Sequence, residues 1–487
     1  MSIGKTKDLE MLEHKLVSNS LTCKDLKSAF QNHSDIQFPP VQSAYSLEGI
    51  AVFYCMGMID TQQLNTYIRN VLNHIRDYPA ETNTEGLPPL LQSTSVNDMI
   101  DKLFSGNVIF FHHGHDVFYA LDISKIPQRN PEESNTDVAI KGPKDAFTES
   151  LYTNTSLIRK RLKTSYLFSE TFTIGSVTHS KISLLYLENK VNKKLIIEAK
   201  KRLANIQTES ILSGGQLEQW LSDKTLSLFP LFDYSTRPDF AIESMLRGRF
   251  VIILDGSPLV LIGPSNLLLL IKSAEDTHFP YHYVIFQRIL RIIGMVIAIF
   301  LPGFYVAIAS INLSQLPFSL LATIVMSRQG IPFPLLIEAL LILGLFEILR
   351  EAGVRMPTVL GHTVSIVGGL IIGDAAIRAG LASPILIVII SLSAVSTYTL
   401  VNQSLTGTVS ILRIYVILCS SFLGVFGFFV SMLSILIYLC NLQSFQLSYL
   451  EPLTSLTFRD YLTALLQNPF KTKDFSSHLL KKKEKEN

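Results

Sequence analysis

The 487-residue chain has little of what marks a catalytic or disulfide-built protein. Its four cysteines, Cys23, Cys55, Cys419 and Cys440, include no pair at a metal-binding or redox spacing. That excludes a disulfide scaffold and predicts unpaired thiols in a reducing compartment. There is no GxxxxGK, GxSxG, HExxH or GxGxxG sequence, so nucleotide, serine-hydrolase and zinc-protease chemistries lack their signatures. No enzyme, no cofactor and no metal centre are expected. A net charge of +2, with no strong basic patch beyond the tail, argues against a nucleic-acid binder. The N-terminus has no apolar run of the kind a cleavable signal peptide needs, and Met1-Ser2 is not a myristoylation start. Charge itself runs out in one region. From Ile292 to Leu442 only Arg328, Glu338, Glu347, Arg350, Glu351, Arg355, Asp374, Arg378 and Arg413 are charged.

What fills that region is apolar sequence of helical length. Residues 331–384 hold two long apolar runs joined by a charged, proline-marked corner, each near the ~20 residues that cross a bilayer core. The expected fold is therefore an α+β membrane protein: a mixed α/β domain followed by a polytopic helical transmembrane domain. The expected boundaries are a helical N-terminal extension over 1–44, an α/β domain of one or two lobes over 45–287, the membrane domain over 288–442, and a tail over 443–487. The tail carries six lysines against three acids after Pro469. With Arg288 and Arg291 at the head of the first span, the positive-inside rule predicts both ends in the cytoplasm. An even number of spans follows: four plus a short broken pair around 315–327, or six. Contact with membrane lipid is implied throughout.

Charged residues inside such runs face protein or water and often mark a pathway. Glu338, Glu347, Arg350, Arg355, Asp374 and Arg378 are accordingly candidate intramembrane gating groups. Glu338 and Glu347, nine residues apart, fall on opposite helix faces. Glu347, Arg350 and Glu351 can pair locally, as can Asp374 and Arg378. Pro302-Gly303 predicts a kink or break in the first span. Gly361, Ser365, Gly369 and Gly373 form a small-residue packing face, and Ser420, Gly424, Gly427, Ser431 and Ser434 form a second. Ser393, Ser396, Thr397, Gln403, Ser404 and Thr408, taken as one helix, share a polar arc of about 140°, which lines a pore or binds helices together.

The α/β part reads as alternating strands and helices, with a loop over 79–98. A hairpin carries His112, His113, His115 and Asp116, which the geometry reads as a solvated turn. A helix is expected to align Phe147, Leu151, Asn154 and Ile158. Its basic end, Arg159, Lys160, Arg161 and Lys163, suits the helix dipole or anionic headgroups. Asp255-Gly256 reads as a turn.

The blocks IPFPLLIEALLILGLFEILREAGVRMP, LGHTVSIVGGLIIGDAAIRAGLASP, IKGPKDAFTESLYTNTSLIRKRL, STRPDFAIESMLRGRFVIILDGSPLVLIGP and LPGFYVAIASIN together resemble the A subunits of the spore germination receptors of endospore-forming Firmicutes. The resemblance runs from about Glu48 to Pro469 and departs at NLQSFQLSYLEP. It implies a multi-pass protein of the spore inner membrane that senses nutrients together with a permease-like B subunit and a lipoprotein C subunit. It further implies self-association into the gated monovalent-cation channel. A sporulation-stage ion-release paralogue and, from another class, a secondary transporter are the alternatives.

Overall fold

The computed structural model describes residues 7–18, 20–39, 50–77, 88–113, 117–125, 141–355 and 373–451. These form two units. Of the described residues, the first runs to Thr225 and resumes over Phe232–Pro264, and the second holds Leu226–Leu231 and residues 265–451.

The first unit contains two five-stranded antiparallel sheets. In order across the first sheet the strands are Ile36–Gln37, Ile50–Cys55, Asn107–His112, Val117–Asp122 and Leu90–Ser93. Its central strands are apolar on both faces, and alternation sends their side chains to two cores. Ile109 and Phe111 join Leu9, Leu12 and Leu26 of the N-terminal helices Lys7–Val17 and Cys23–Ala29 on one side. Val108 and Phe110 join Leu64, Val71 and Ile75 of the Thr61–Asp77 helix on the other. The N-terminal residues are thus part of this core and contribute an edge strand. The loop expected over 79–98 is corrected in its described part. Leu90–Ser93 pairs with Phe118–Leu121, and the Val96–Leu103 helix starts inside it. The driving force is burial of Leu90, Val96, Met99 and Ile100, whose spacing the surrounding polar residues obscure.

The second sheet runs Leu167–Ile174, Ser180–Leu187, Phe250–Leu254, Val260–Gly263 and Asp233–Ser235. The Asp255-Gly256 turn joins two of its strands, with Gly256 at φ 84°. Asp255 also accepts the Leu151 backbone N–H at 3.0 Å, and so satisfies the start of the Leu151–Arg161 helix. Phe147, expected on that helix, lies before it, because Ser150 is its N-cap.

The second unit is helical: Tyr281–Ser310, Phe318–Ser327, Leu335–Arg355, Pro384–Thr397 and Gln403–Asn441. Two of these, Tyr281–Ser310 and Gln403–Asn441, are long and apolar enough to cross a membrane, with mean hydropathy 2.4 and 2.3. The expected break at Pro302 is not present: the helix is continuous through it. The interruption falls instead at Gly424, where φ 62° and ψ −142° leave the helical region. Gly361, Ser365, Gly369, His115, Asp116 and the lysine-rich tail lie outside the described residues.

Candidate functional site

Both helix irregularities are met by side chains from elsewhere in the helical unit, and the candidate site is built around one of them. Proline has no N–H, so Pro302 leaves the carbonyl four residues earlier, that of Ala298, without its helical donor. Arg413 Nε and Ser393 Oγ both donate to that oxygen at 2.8 Å. Two donors from two other helices meet the exposed carbonyl. At the second irregularity, the Val425 N–H donates to Asn312 Oδ1 at 2.9 Å. A Cβ added to Gly424 would stand 2.1 Å from that same oxygen. This position, expected only to pack, is a backbone break that requires glycine.

Arg413 is buried, its side chain 2% exposed. Besides Nε on Ala298, its Nη2 donates to Thr397 Oγ1. Its Nη1 approaches Glu347 Oε1 only to 3.7 Å, an ion pair beyond hydrogen-bond reach. Glu347 is the shared anion, since its other oxygen takes Arg350 Nη2 at 2.6 Å. Arg350 Nη1 in turn donates to Ser410 Oγ at 3.0 Å. A cavity of about 200 Å³ opens beside Glu347, Arg350, Thr397 and Arg413, its remaining wall apolar apart from Ser391 and Tyr398.

Glu338 belongs to a separate cluster. It is fully buried, and its Oε1 accepts both the backbone N–H and the hydroxyl of Ser383 at 2.6 Å. Ser383 precedes the Pro384–Thr397 helix and makes no side-chain cap, so the carboxylate satisfies that helix start. Glu338 Oε2 has no hydrogen-bond partner, and Arg328 Nε stands 3.6 Å away.

The other candidate charges are simple neighbours on the surface of this unit. Arg355 pairs with Glu351 and Arg378 with Asp374, all four side chains more than half exposed. Arg288 and Arg291 both pair with Asp276 at about 3 Å. Gly373 has open space where a Cβ would stand.

The polar arc is corrected. Residues 393–408 are not one helix. Pro384–Thr397 ends, and Asn402 caps a new helix at Gln403 through the Ser404 and Leu405 N–H groups. Ser393, Ser396 and Thr397 are buried on the first helix, while Gln403 and Ser404 are exposed on the second. Thr408 donates to the Leu228 carbonyl. Sequence reasoning missed that Arg413 is the partner of this arc. The signal was available: an arginine ten residues into an apolar helix, in a chain that also frees a carbonyl with a mid-helix proline.

It also missed the buried ion pair of the first unit. Of the basic quartet expected at a helix end, Arg159 is fully buried. It holds Asp35 through Nε at 2.9 Å and Nη2 at 3.0 Å, gives Nη1 to the Thr164 and Leu167 carbonyls, and lies over the Phe104 ring. Burial alone would raise the Asp35 carboxyl, but the Arg159 guanidinium overrides it and holds the group below its usual value. Burial, then Arg159, lowers His33 to about 3. The Cys55 thiol is pushed well up by burial and by Asp35. His113 Nδ1 lies 2.9 Å from the Leu21 carbonyl oxygen, and no metal-binding group of His, Cys, Asp and Glu exists among the described residues.

A multi-helix unit with buried charge and, in the same chain, an α/β unit of two sheets define the class. The profile of the Bacillus/Clostridium GerA spore germination protein family matches residues 24–478. The chain belongs to this family. It is 41% identical over 429 residues to spore germination protein XA of Bacillus anthracis, covering 86% of this chain and 87% of that one. It is 34% identical over 453 residues to the uncharacterized membrane protein YfkQ of Bacillus subtilis (strain 168), covering 91% and 88%. Among solved structures it matches the N-terminal domain of the A subunit of the Bacillus megaterium spore germinant receptor GerK3. That match is 28% identical, covers 54% of this chain and 98% of the other, and has a TM-score of 0.36.

Proposed function

We propose that this protein is the A subunit of a nutrient-sensing germination receptor of the spore inner membrane, and that its helical unit contributes to a gated monovalent-cation channel. The observation that carries the reading is the family match, which spans both units rather than one. The membrane placement is supported by the two long apolar helices and by the name of the relative YfkQ. On this reading the α/β unit and the tail face the spore core, copies of the chain associate, and a permease-like B subunit and a lipoprotein C subunit complete the receptor. Glu338 and the Glu347–Arg350–Arg413 cluster are the groups proposed to act in gating, because Glu338 and Arg413 are buried and Glu347 and Arg350 are half-buried beside Arg413, whereas the other candidate charges are exposed. The surface pairs Glu351–Arg355 and Asp374–Arg378 are given no gating role.

The test is deletion of the gene, followed by nutrient exposure of the purified spores. Loss of potassium release to at least one nutrient mixture, restored by the wild-type gene and not by a Glu338→Gln, Arg413→Gln double variant present at normal abundance, is the expected result. Unchanged release from the deletion strain to every nutrient that triggers the parent would overturn it.

A further inference from the structure

The charge around the 200 Å³ cavity does not balance. Among the described residues Arg350 and Arg413 each find one carboxylate partner, and it is the same one, Glu347. Two guanidiniums against one carboxylate leave a charge of +1 beside a largely apolar wall, where an unpaired ion is costly. Protein contacts do not relieve it. Arg413 is pinned by Ala298 and Thr397, and its Nη1 stops 3.7 Å short of Glu347, outside hydrogen-bond range. Arg350 is pinned by Ser410 and Glu347. The site therefore has a cavity, a fixed buried cation with a donor to spare, and an uncancelled charge.

The geometry points to a binding site for a small oxyanion of single negative charge, a carboxylate or a phosphate-ester headgroup, held in this cavity by Arg413 and Arg350. A planar guanidinium suits such oxygens better than a halide, because its paired N–H groups match their spacing. The anion completes a two-by-two set with Glu347, and the hydroxyl of Thr397, which lines the cavity, gives it a polar neighbour. Removing Glu347's charge should strengthen the site, and removing Arg350's should abolish it. A merely structural cluster makes neither forecast, since each change would only weaken the fold.

The experiment uses the full chain purified in neutral detergent, with sodium formate as probe and the shift of the unfolding temperature as readout. The wild type should be stabilised by formate in a saturable way. Arg350→Gln, a partly exposed position, should fold and lose the response, with apparent affinity down about tenfold or more. Glu347→Gln should start less stable and gain about tenfold in affinity. Organic phosphate retained after extensive washing separates the two sources. Formate saturation without bound phosphorus assigns a soluble carboxylate. Phosphorus retained by the wild type and absent from Arg350→Gln assigns a lipid headgroup. Equal formate responses in wild type, Arg350→Gln and Glu347→Gln, with no phosphorus difference, would overturn the proposal.

Discussion

Two buried arginines, Arg159 in the first unit and Arg413 in the second, meet their surroundings in opposite ways. Arg159 is closed. Asp35 takes it from two nitrogens, two carbonyls take the third, and an aromatic ring covers its face. Arg413 is open, sharing a single carboxylate with Arg350 and bordering a cavity. A buried ion pair that is fully hydrogen-bonded fixes one arrangement, whereas an incompletely paired one can exchange partners. The same residue type thus closes its own polar contacts in the α/β unit and is left incompletely paired in the helical unit.

The comparison breaks most visibly at the closed end. Arg159→Met strands the Asp35 carboxylate in the core and should destabilise the first unit by about 3–5 kcal/mol. Denaturant unfolding followed by the fluorescence of Trp220, the chain's single tryptophan, measures this. Adding Asp35→Leu should recover much of the loss. A single variant with the wild-type midpoint would remove Arg159 from the account. The pH dependence has a definite sign. His33 titrates near 3 when folded and near its ordinary 6.5 when unfolded. The unfolded chain therefore binds the extra proton between those values, and stability falls as pH drops from about 6.5 toward 3. Asp35, depressed in the fold, adds a further loss below its ordinary 3.8. His33→Phe should flatten the part of the profile between pH 6.5 and 4.

A smaller effect is expected from the two helix irregularities. Gly424→Ala forces a side chain onto Asn312 and into a φ of 62°, at a cost of about 1–3 kcal/mol in the second unit. Pro302→Ala should do less, because the restored N–H competes for a carbonyl that Arg413 and Ser393 already occupy. Unfolding temperatures in detergent compare the two, and a larger loss for Pro302→Ala would reverse the assignment of the break. The smallest effect belongs to the surface pairs. Asp374→Asn and Glu351→Gln should leave both stability and potassium release unchanged, since exposed i,i+4 pairs contribute little. A loss of release in either would return these residues to the gating set.

The sequence by itself determined a good deal. Its ordered blocks identified the family, because such matches depend on residue identity and not on contacts. The charge-poor run from Ile292 to Leu442 falls within the helical unit without marking its bounds, and the short apolar runs between turn residues announced several of the strands. Polar character was legible at Ser393, Thr397, Glu338 and Glu347. Partnership was not. Ser393 and Thr408 were joined into one arc because periodicity carries no signal for the Asn402 cap that divides them. Arg159 looked like a solvated helix end because Asp35, its partner, is 124 residues away in the chain. The break was assigned to Pro302 because proline's missing N–H is written in the sequence. The donors that satisfy Ala298 lie on other helices, and only their packing decides that this helix runs on while Gly424 does not. Hydrogen-bond satisfaction is a property of what surrounds a group in space, and the tertiary structure alone supplies that.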